Sequence, residues 1–481
     1  MSETQEKTES FSLILTILAV SVVLTTIKNL APMQWVASWD FISYLLLLVP
    51  LMLMIYTKEV KNSYAKWLVV PILVLIVDTY YYNNTLVQEL LPLVIYGTIG
   101  LLYIGSLQKM DYLFQVVLPK FSSSTGIFVT IKRLVQPIFS LKKYKDEMMG
   151  NSLYMRIGLA LLITIPVFGV FLALFVSSDP SFGRFIEKLL YFKNPFESYH
   201  IFTIPMVFLF FILLFGYALS NTTSRKINLN STPFDPLIIG IFLGALNFLF
   251  ISFLFFQLSY IFGGEEYIAN IGMSVATYAR KGFFELATVM GIVLVIFLIV
   301  IYRYKNEKLI AILMSGLILQ TIVMGYASLS KMHLYQSLMG ATVLRYYVEW
   351  FDYFLLLILV MGIVYLFMRK PFYLMLNAVV VLGIVSFTII SSINIDGIVA
   401  KQNIEQFKDN PKKLDRDMLS WLSLDALPYL KGTDIKIKIY PYHKRDCSKF
   451  NNYNIGYCSK LKEYGTSNIE FAELKGLREY E

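Results

Sequence analysis

Cysteine, histidine and charge are what this sequence has least of. Two cysteines and three histidines in 481 residues leave few metal-binding side chains. His200, His333 and His443 are widely separated, which argues against a multi-histidine iron or zinc centre. Charged residues make up 16% of the chain, against about 25% in soluble globular proteins. No Walker-type phosphate loop, no G-x-G-x-x-G and no G-x-S-x-G occurs, so the usual signatures of soluble nucleotide-binding proteins and hydrolases are missing.

The rest is mostly apolar: 57% of residues are hydrophobic and the mean hydropathy is +0.61. Runs of roughly 16 to 25 apolar residues recur, each near the length a helix needs to cross about 30 Å of hydrocarbon. They lack the alternation of a barrel strand, and a helix bonds its whole backbone internally. The chain therefore reads as an all-α integral membrane protein, a polytopic bundle of about eleven transmembrane helices with a small extracytoplasmic C-terminal tail domain. The expected spans are Phe11–Ile27, Phe41–Tyr56, Trp67–Tyr82, Leu90–Leu107, Leu153–Val176, His200–Leu219, Pro236–Phe262, Phe283–Tyr302, Leu309–Leu329, Trp350–Met368 and Phe372–Ile393. The opening MSETQEKTES is acidic and no small-residue cleavage pattern follows the first run, so that span is expected to stay as an anchor.

Basic residues sort by loop. About 17 Lys and Arg follow the even-numbered spans and about 8 lie on the other face, which places the N-terminus in the cytoplasm and, with an odd span count, the tail outside. This sorting accounts for most of the net charge of +9 and leaves no reason to invoke nucleic acid. The organisation reads as a four-helix block (1–107), a basic juxtamembrane segment facing lipid (108–152), a seven-helix block (153–393) and the tail (394–481).

After the fifth span, SSDPSFGRFIEKLLYF predicts an interfacial helix capped by Asp179 and started by Pro180. In the tail, Asp396 is expected to cap IVAKQNIEQF. Leu414, Met418, Trp421 and Leu422 predict a second amphipathic helix, and TDIKIKIY alternates like a strand. Ser467 and Glu470 have capping-box spacing for a last helix. Cys447 and Cys458 stand in this tail. Outside the cytoplasm they are expected to form a disulfide worth about 3 kcal/mol by loop closure. The alternative is two unpaired thiols; a metal site lacks ligands, with His443 alone nearby.

Ionisable groups inside hydrocarbon are costly and are candidates for function. By helical rise, Asp352 and Glu285 lie just inside one hydrocarbon edge and Asp78 is the deepest acid, about 16 Å in. Arg345, Glu349 and Asp352 share one helical face, Arg280 precedes Glu285, and either Arg280 or Lys331 can neutralise an acid. Gln257 and Tyr260 add hydrogen-bonding capacity. The bland reading of Asp78, Gln257, Tyr260, Arg280, Glu285, Arg345, Glu349 and Asp352 is an ion-paired network that fixes helix packing. The sharper one is a cation, proton or polar-substrate site.

VSSDPSF, LNFLFISFLFFQLSYIFGG, YARKGFFEL, LRYYVEWF, NIDGIVAKQNI and LSLDALPYL, in this order, resemble an uncharacterised bacterial multi-pass membrane family, the domain of unknown function four-one-seven-three, related to four-one-five-three. The resemblance covers about Leu153 to Leu430. By position it marks Asp179, Gln257, Tyr260, Arg280, Glu285, Arg345, Asn394, Asp396, Asn403, Asp425 and Pro428. Ser178 stands where a small apolar residue is expected, which leaves the cap intact. The resemblance implies a bacterial origin and the cytoplasmic membrane, and it transfers no activity.

The expected role is a non-enzymatic envelope component that senses, scaffolds or binds a protein partner through its tail, with membrane lipids around the bundle and no cofactor or metal. The rivals are a transporter or flippase using Asp78, Glu285 or Asp352, and a lipid-linked transferase using Asp40, Asp179 or Asp396.

Overall fold

At Asp179-Pro180 and again at Asp235-Pro236 an aspartate precedes a proline, and at each a helix begins. Asp179 Oδ1 accepts from the amides of Ser181 (2.8 Å) and Phe182 (3.2 Å). Asp235 Oδ1 accepts from that of Leu237 (3.0 Å). The carboxylate satisfies amides the first turn leaves open, and proline has no N–H to satisfy.

The computed structural model describes residues 67–107, 153–190, 235–271, 275–303, 307–368, 372–439, 447, 455–466 and 469–471. Its main helices are α1 (Val69–Tyr81), α2 (Thr85–Leu107), α3 (Leu153–Ser178), α4 (Pro180–Leu190), α5 (Pro236–Ile271), α6 (Val275–Arg303), α7 (Lys308–Met339), α8 (Val343–Met368) and α9 (Phe372–Ser391). Six of them, α3 and α5 to α9, are long and apolar enough to cross a membrane, while α1 and the apolar part of α2, Leu90–Leu102, are shorter. The expected spans Phe11–Ile27, Phe41–Tyr56 and His200–Leu219, and the basic segment 108–152, lie outside the described residues.

Several helices run past the apolar stretches that announced them, four of them by seven residues or more. Helix α5 continues beyond Phe262 to Ile271, α6 starts at Val275 instead of Phe283, α7 continues beyond Leu329 to Met339, and α8 starts at Val343 instead of Trp350. Hydropathy marks the part suited to hydrocarbon, whereas the helix continues as long as its backbone bonds are made.

The chain divides into two compact units. One comprises Phe114–Gly340 and Leu344–Val379, the other Met1–Leu113, Ala341–Val343 and Val380–Glu481.

In the first of these, α3 and α7 each pack against both α5 and α6. Its interior is aromatic: Phe171, Phe175, Phe182, Phe250 and Phe253 are buried. Phe175 stacks on Phe253 with ring centroids 4.1 Å apart, and Phe182 meets Phe253 edge-on at 5.3 Å. Phe182 thus anchors the amphipathic α4, while Phe185 and Leu189 remain exposed. Small residues allow close helix contact: a Cβ on Gly325 would press on Leu356 and Met290, and one on Gly362 on the Phe297 ring. Large apolar side chains such as Leu162, Ile165, Phe248 and Phe255 face outward, forming a surface fit for lipid.

The other unit joins α1, α2 and the end of α9 to the tail. The tail contains α10 (Ile395–Gln406), α11 (Arg416–Ser420), α12 (Leu427–Leu430) and α13 (Ile455–Tyr464). Buried Val399, Ala400, Leu419, Leu424 and Leu427 form its core. Three details differ from expectation. Of Leu414, Met418, Trp421 and Leu422, only Met418 lies within α11, and Trp421 is exposed. The cap of α10 is Asn394, whose side chain accepts from the Gly397 amide, so Asp396 is freed for other contacts. The segment expected to open a last helix is instead β2 (Ile469–Phe471), paired in parallel with β1 (Ile437–Ile439), Ile437 opposite Ile469. Both isoleucines are buried; pairing with an open strand edge gains ladder bonds and covers Ile469, which a capping box does not supply.

Candidate functional site

Where α3 ends and α4 begins, the backbone break gathers charge. The Ser178 carbonyl, at the C-terminal end of α3, accepts from Lys331 Nζ of α7 at 3.5 Å. Unsatisfied carbonyls give a helix C-terminus a partial negative charge, which favours an ammonium. Asp179 follows, its Oδ1 engaged by the first turn of α4 and its Oδ2 accepting from Gln257 Nε2 of α5 at 3.4 Å. Across the cluster Ser177 Oγ donates to Glu285 Oε1 of α6 at 3.0 Å. Lys331 is acted on by the charges of both Asp179 and Glu285. Asp179, Gln257 and Lys331 are each 0% exposed.

Five helices therefore supply one buried ionic cluster, adjacent in the chain to the buried Phe175 and Phe182. A lone ammonium in such surroundings would cost several kcal/mol, so its partners are required for it to stay charged.

A second group lies between α7 and α8. Ser328 Oγ lies 2.9 Å from Asp352 Oδ2 and 3.3 Å from the Phe283 carbonyl. Nearer the helix ends, Glu349 is bound by His333 Nε2 and by Gln336 Nε2. Arg345 donates to the Gly340 carbonyl and covers the Tyr335 ring at 4.2 Å. The expected ladder of Arg345, Glu349 and Asp352 is thus spread over separate partners on α7 and on the α7–α8 turn.

In the other unit, the turn Tyr82–Asn84 between α1 and α2 is bound by the tail. Tyr82 donates to the Ser392 carbonyl (2.7 Å), the Asn83 amide to Asp425 Oδ2 (2.8 Å), and Asn84 Nδ2 to Asp396 Oδ2. Asp396 Oδ1 accepts from the Ser423 amide at 3.0 Å. Burial raises the Asp396 carboxyl above its ordinary value; the Ser423 amide and Asn84 oppose this, and the charge of Asp425 adds to it. Asp425 also binds Lys460 of α13. Asp78 Oδ2 accepts from Ser391 and Ser392, both at 2.8 Å. Asn394 Nδ2 donates to the Asp425 carbonyl (2.9 Å), and Asn403 to the Ala341 carbonyl (2.9 Å).

Cys447 and Cys458 form a disulfide, Cα atoms 5.7 Å apart. The bridge secures α13, whose Gly456 approaches α1 so closely that a Cβ there would overlap the Tyr81 carbonyl.

The structure thus brings Gln257 and Glu285 to one cluster with Asp179, places Asp352 and Glu349 in another with Arg345 at its end, and puts Asp78, Asn394, Asp396 and Asp425 among the contacts of the tail. Arg280 is exposed, and the Tyr260 side chain lies outside the described residues. Sequence reasoning gave Lys331 as one of two neutralising bases and missed Ser177, Ser328, Asn83, Asn84 and Lys460. An Asn-Asn pair between two apolar runs is a turn signal, yet nothing in it names carboxylates more than 300 residues away. Among the described residues no group of three or more His, Cys, Asp and Glu is arranged to hold a metal ion.

A family model described as Domain of unknown function (DUF4153) matches residues 13–432. The match reaches back through the first four expected spans, well before Leu153, and ends ahead of both cysteines. No curated protein and no solved structure matches the chain.

Proposed function

This chain belongs to the DUF4153 family, and on that premise we propose that it is a membrane transporter or flippase whose charge-bearing centre is Lys331 with Asp179, Glu285 and Gln257. The observation that carries this is the full burial of Lys331 beside two carboxylates at a helix break. Ionisable groups inside a membrane bundle mark ion and substrate pathways, and interrupted helices in transporters direct their free backbone ends at charged cargo. The α3–α4 break offers both features in one place, with a carbonyl for the ammonium and amides for a carboxylate.

The tail contributes to this ordering of roles. Asp396, Asn403 and Asp425 are buried and occupied by contacts within their own unit, so they serve to fasten the tail. Its disulfide supports an extracytoplasmic location, in line with the distribution of basic loops, and hence a protein of the cytoplasmic membrane with its N-terminus inside.

Reconstitution tests the reading. Proteoliposomes are given proton, sodium and potassium gradients in turn, with a pH-sensitive dye and fluorescent lipid reporting movement. Flux or lipid exchange in the wild type, lost in Glu285→Gln while the protein keeps its melting profile, is the expected result. Absence of any movement under every gradient overturns it.

A second reading, a sensing or partner-binding envelope protein, draws on an open groove of about 450 Å³ on the tail, lined by Arg416, Asp417, Asp434, Lys436, Lys438 and Glu470. Capture of an envelope protein by wild-type membranes, lost on reversing Lys436 and Lys438, would favour it over transport.

A further inference from the structure

The Lys331 cluster leaves one buried acid of the same unit unused. Asp352 is 0% exposed. Its Oδ2 is bound to Ser328, whereas its Oδ1, also buried, has no hydrogen-bond partner among the described residues. An asparagine or serine would hold Ser328 as well without placing a titratable group in a membrane span. A half-satisfied carboxyl group is a poor fastening, because a buried polar atom left without a partner has lost its water and gained nothing in return.

The neighbours of Asp352 form a graded series toward solvent. Glu349 is one turn earlier on α8, and side chains three apart on a helix lie on the same face, with Cβ atoms about 5–6 Å apart. The Glu349 side chain is 12% exposed, and bound to it is His333, 54% exposed. Exposure thus falls stepwise from His333 through Glu349 to Asp352.

The other groups around this line are accounted for. From α7, Gln336 donates to Glu349 (3.0 Å) and Ser328 meets Asp352. From α8, Tyr353 bonds to Glu349, and Tyr346 feels its charge. From α6 the Phe283 carbonyl meets Ser328 at 3.3 Å. Arg345, at the start of α8, is held by the Gly340 carbonyl and Tyr335.

We propose that His333, Glu349 and Asp352 form a proton-uptake route, from the exposed end of α7 and α8 to a protonatable store at Asp352. The first transfer passes a proton from the imidazolium Nε2 of His333 to Glu349 Oε1, which leaves a neutral imidazole protonated at Nδ1, and a hydronium ion from solvent then restores the proton at the vacated Nε2. The second moves it from the Glu349 carboxyl to the Asp352 carboxylate, leaving Glu349 charged and ready for the next. No bond other than O–H and N–H changes, and no oxidant or cofactor enters. The route rests on the transport reading for its use, since it names the proton as the coupling ion, but its existence can be measured apart from any flux.

The measurement is infrared difference spectroscopy of the full-length protein in lipid after a pH jump. A protonated carboxyl has a C=O stretch distinct from that of a carboxylate. Acidification of the wild type is expected to produce such a band, missing in Asp352→Asn and shifted in frequency in Asp352→Glu, which serves if the asparagine variant does not fold. Its rise is expected to slow by about tenfold or more in His333→Ala and in Glu349→Gln, because each removes a transfer step. A wild-type band that survives Asp352→Asn, or equal rise times in all variants, overturns the route. If the band behaves as expected but proteoliposomes move nothing, the transport reading alone falls; if flux occurs without the band, the route alone falls.

Discussion

A β-carbon placed on Gly282 would stand 2.6 Å from Lys331 Nζ and 2.9 Å from the Ser178 carbonyl oxygen, so α6 gives the ammonium room that only a glycine leaves. Gly282→Ala must displace the ammonium from that carbonyl. Overpacking of this kind costs about 1–3 kcal/mol, and thermal unfolding in detergent is expected to register the loss together with a loss of flux. An alanine variant as stable and active as wild type would show that Lys331 does not depend on this seat.

Removing the ammonium itself is expected to cost more. Lys331→Met leaves the buried Asp179 and the half-buried Glu285 without their shared cation, a change on the order of 3–5 kcal/mol. Adding Glu285→Gln to Lys331→Met should restore part of it, and a double-mutant cycle on melting temperatures reads the coupling directly. Strict additivity of the two substitutions would mean that they do not interact.

Asp396 gives a pH dependence of definite sign. Its folded carboxyl titrates above the ordinary value of 3.8 because of burial. Folding therefore favours the protonated form, and this contribution is complete below the ordinary carboxylate value and is lost as pH rises through the raised folded one. Stability of the unit holding the tail is expected to fall over that window. Asp396→Asn flattens the curve, the Asn84 amide turning its oxygen toward the new donor. Unfolding curves collected across pH check the slope, and a wild-type stability that climbs through the same range contradicts it.

The disulfide closes a short loop with a sequence separation of 11, for which loop-closure entropy gives about 3 kcal/mol. Cys447→Ser or Cys458→Ser is expected to loosen α13, and with it the contact of Lys460 with Asp425. Limited proteolysis should then cut the tail earlier than in wild type. On intact cells, a membrane-impermeant maleimide should label each single variant directly and the wild type after reduction alone. Labelling that requires lysis would put the tail in the cytoplasm.

What could be read from sequence divides by range. Asp179 was legible as a cap because an Asp-Pro helix start is written in adjacent residues, and the apolar runs gave every described membrane helix because composition alone satisfies hydrocarbon. Lys331 was legible only as one of two neutralising bases, since its seat is made by Ser178, Gly282, Asp179 and Glu285, none of them near it in the chain. Asp396 has the right chemistry for a cap, but Asn394 lies where the helix begins, and the aspartate is recruited by Asn84 instead. The strand Ile469–Phe471 reads locally as a helix start; its state is decided by β1, thirty-two residues earlier in the pairing of Ile437 with Ile469. The pairing of Cys447 with Cys458 was legible, being local and free of competitors.

The turn at Tyr82–Asn84 meets its partners at separations of 310, 342 and 312 residues. At about 5–20 residues per second the ribosome needs roughly 15–70 s to deliver them. During biogenesis the α1–α2 hairpin is thus a client in waiting, its polar turn open until Ser392, Asp396 and Asp425 have emerged. Emergence of Asp425 is what closes it, so a product released before that point carries an unfinished hairpin that quality-control proteases can distinguish from the folded protein.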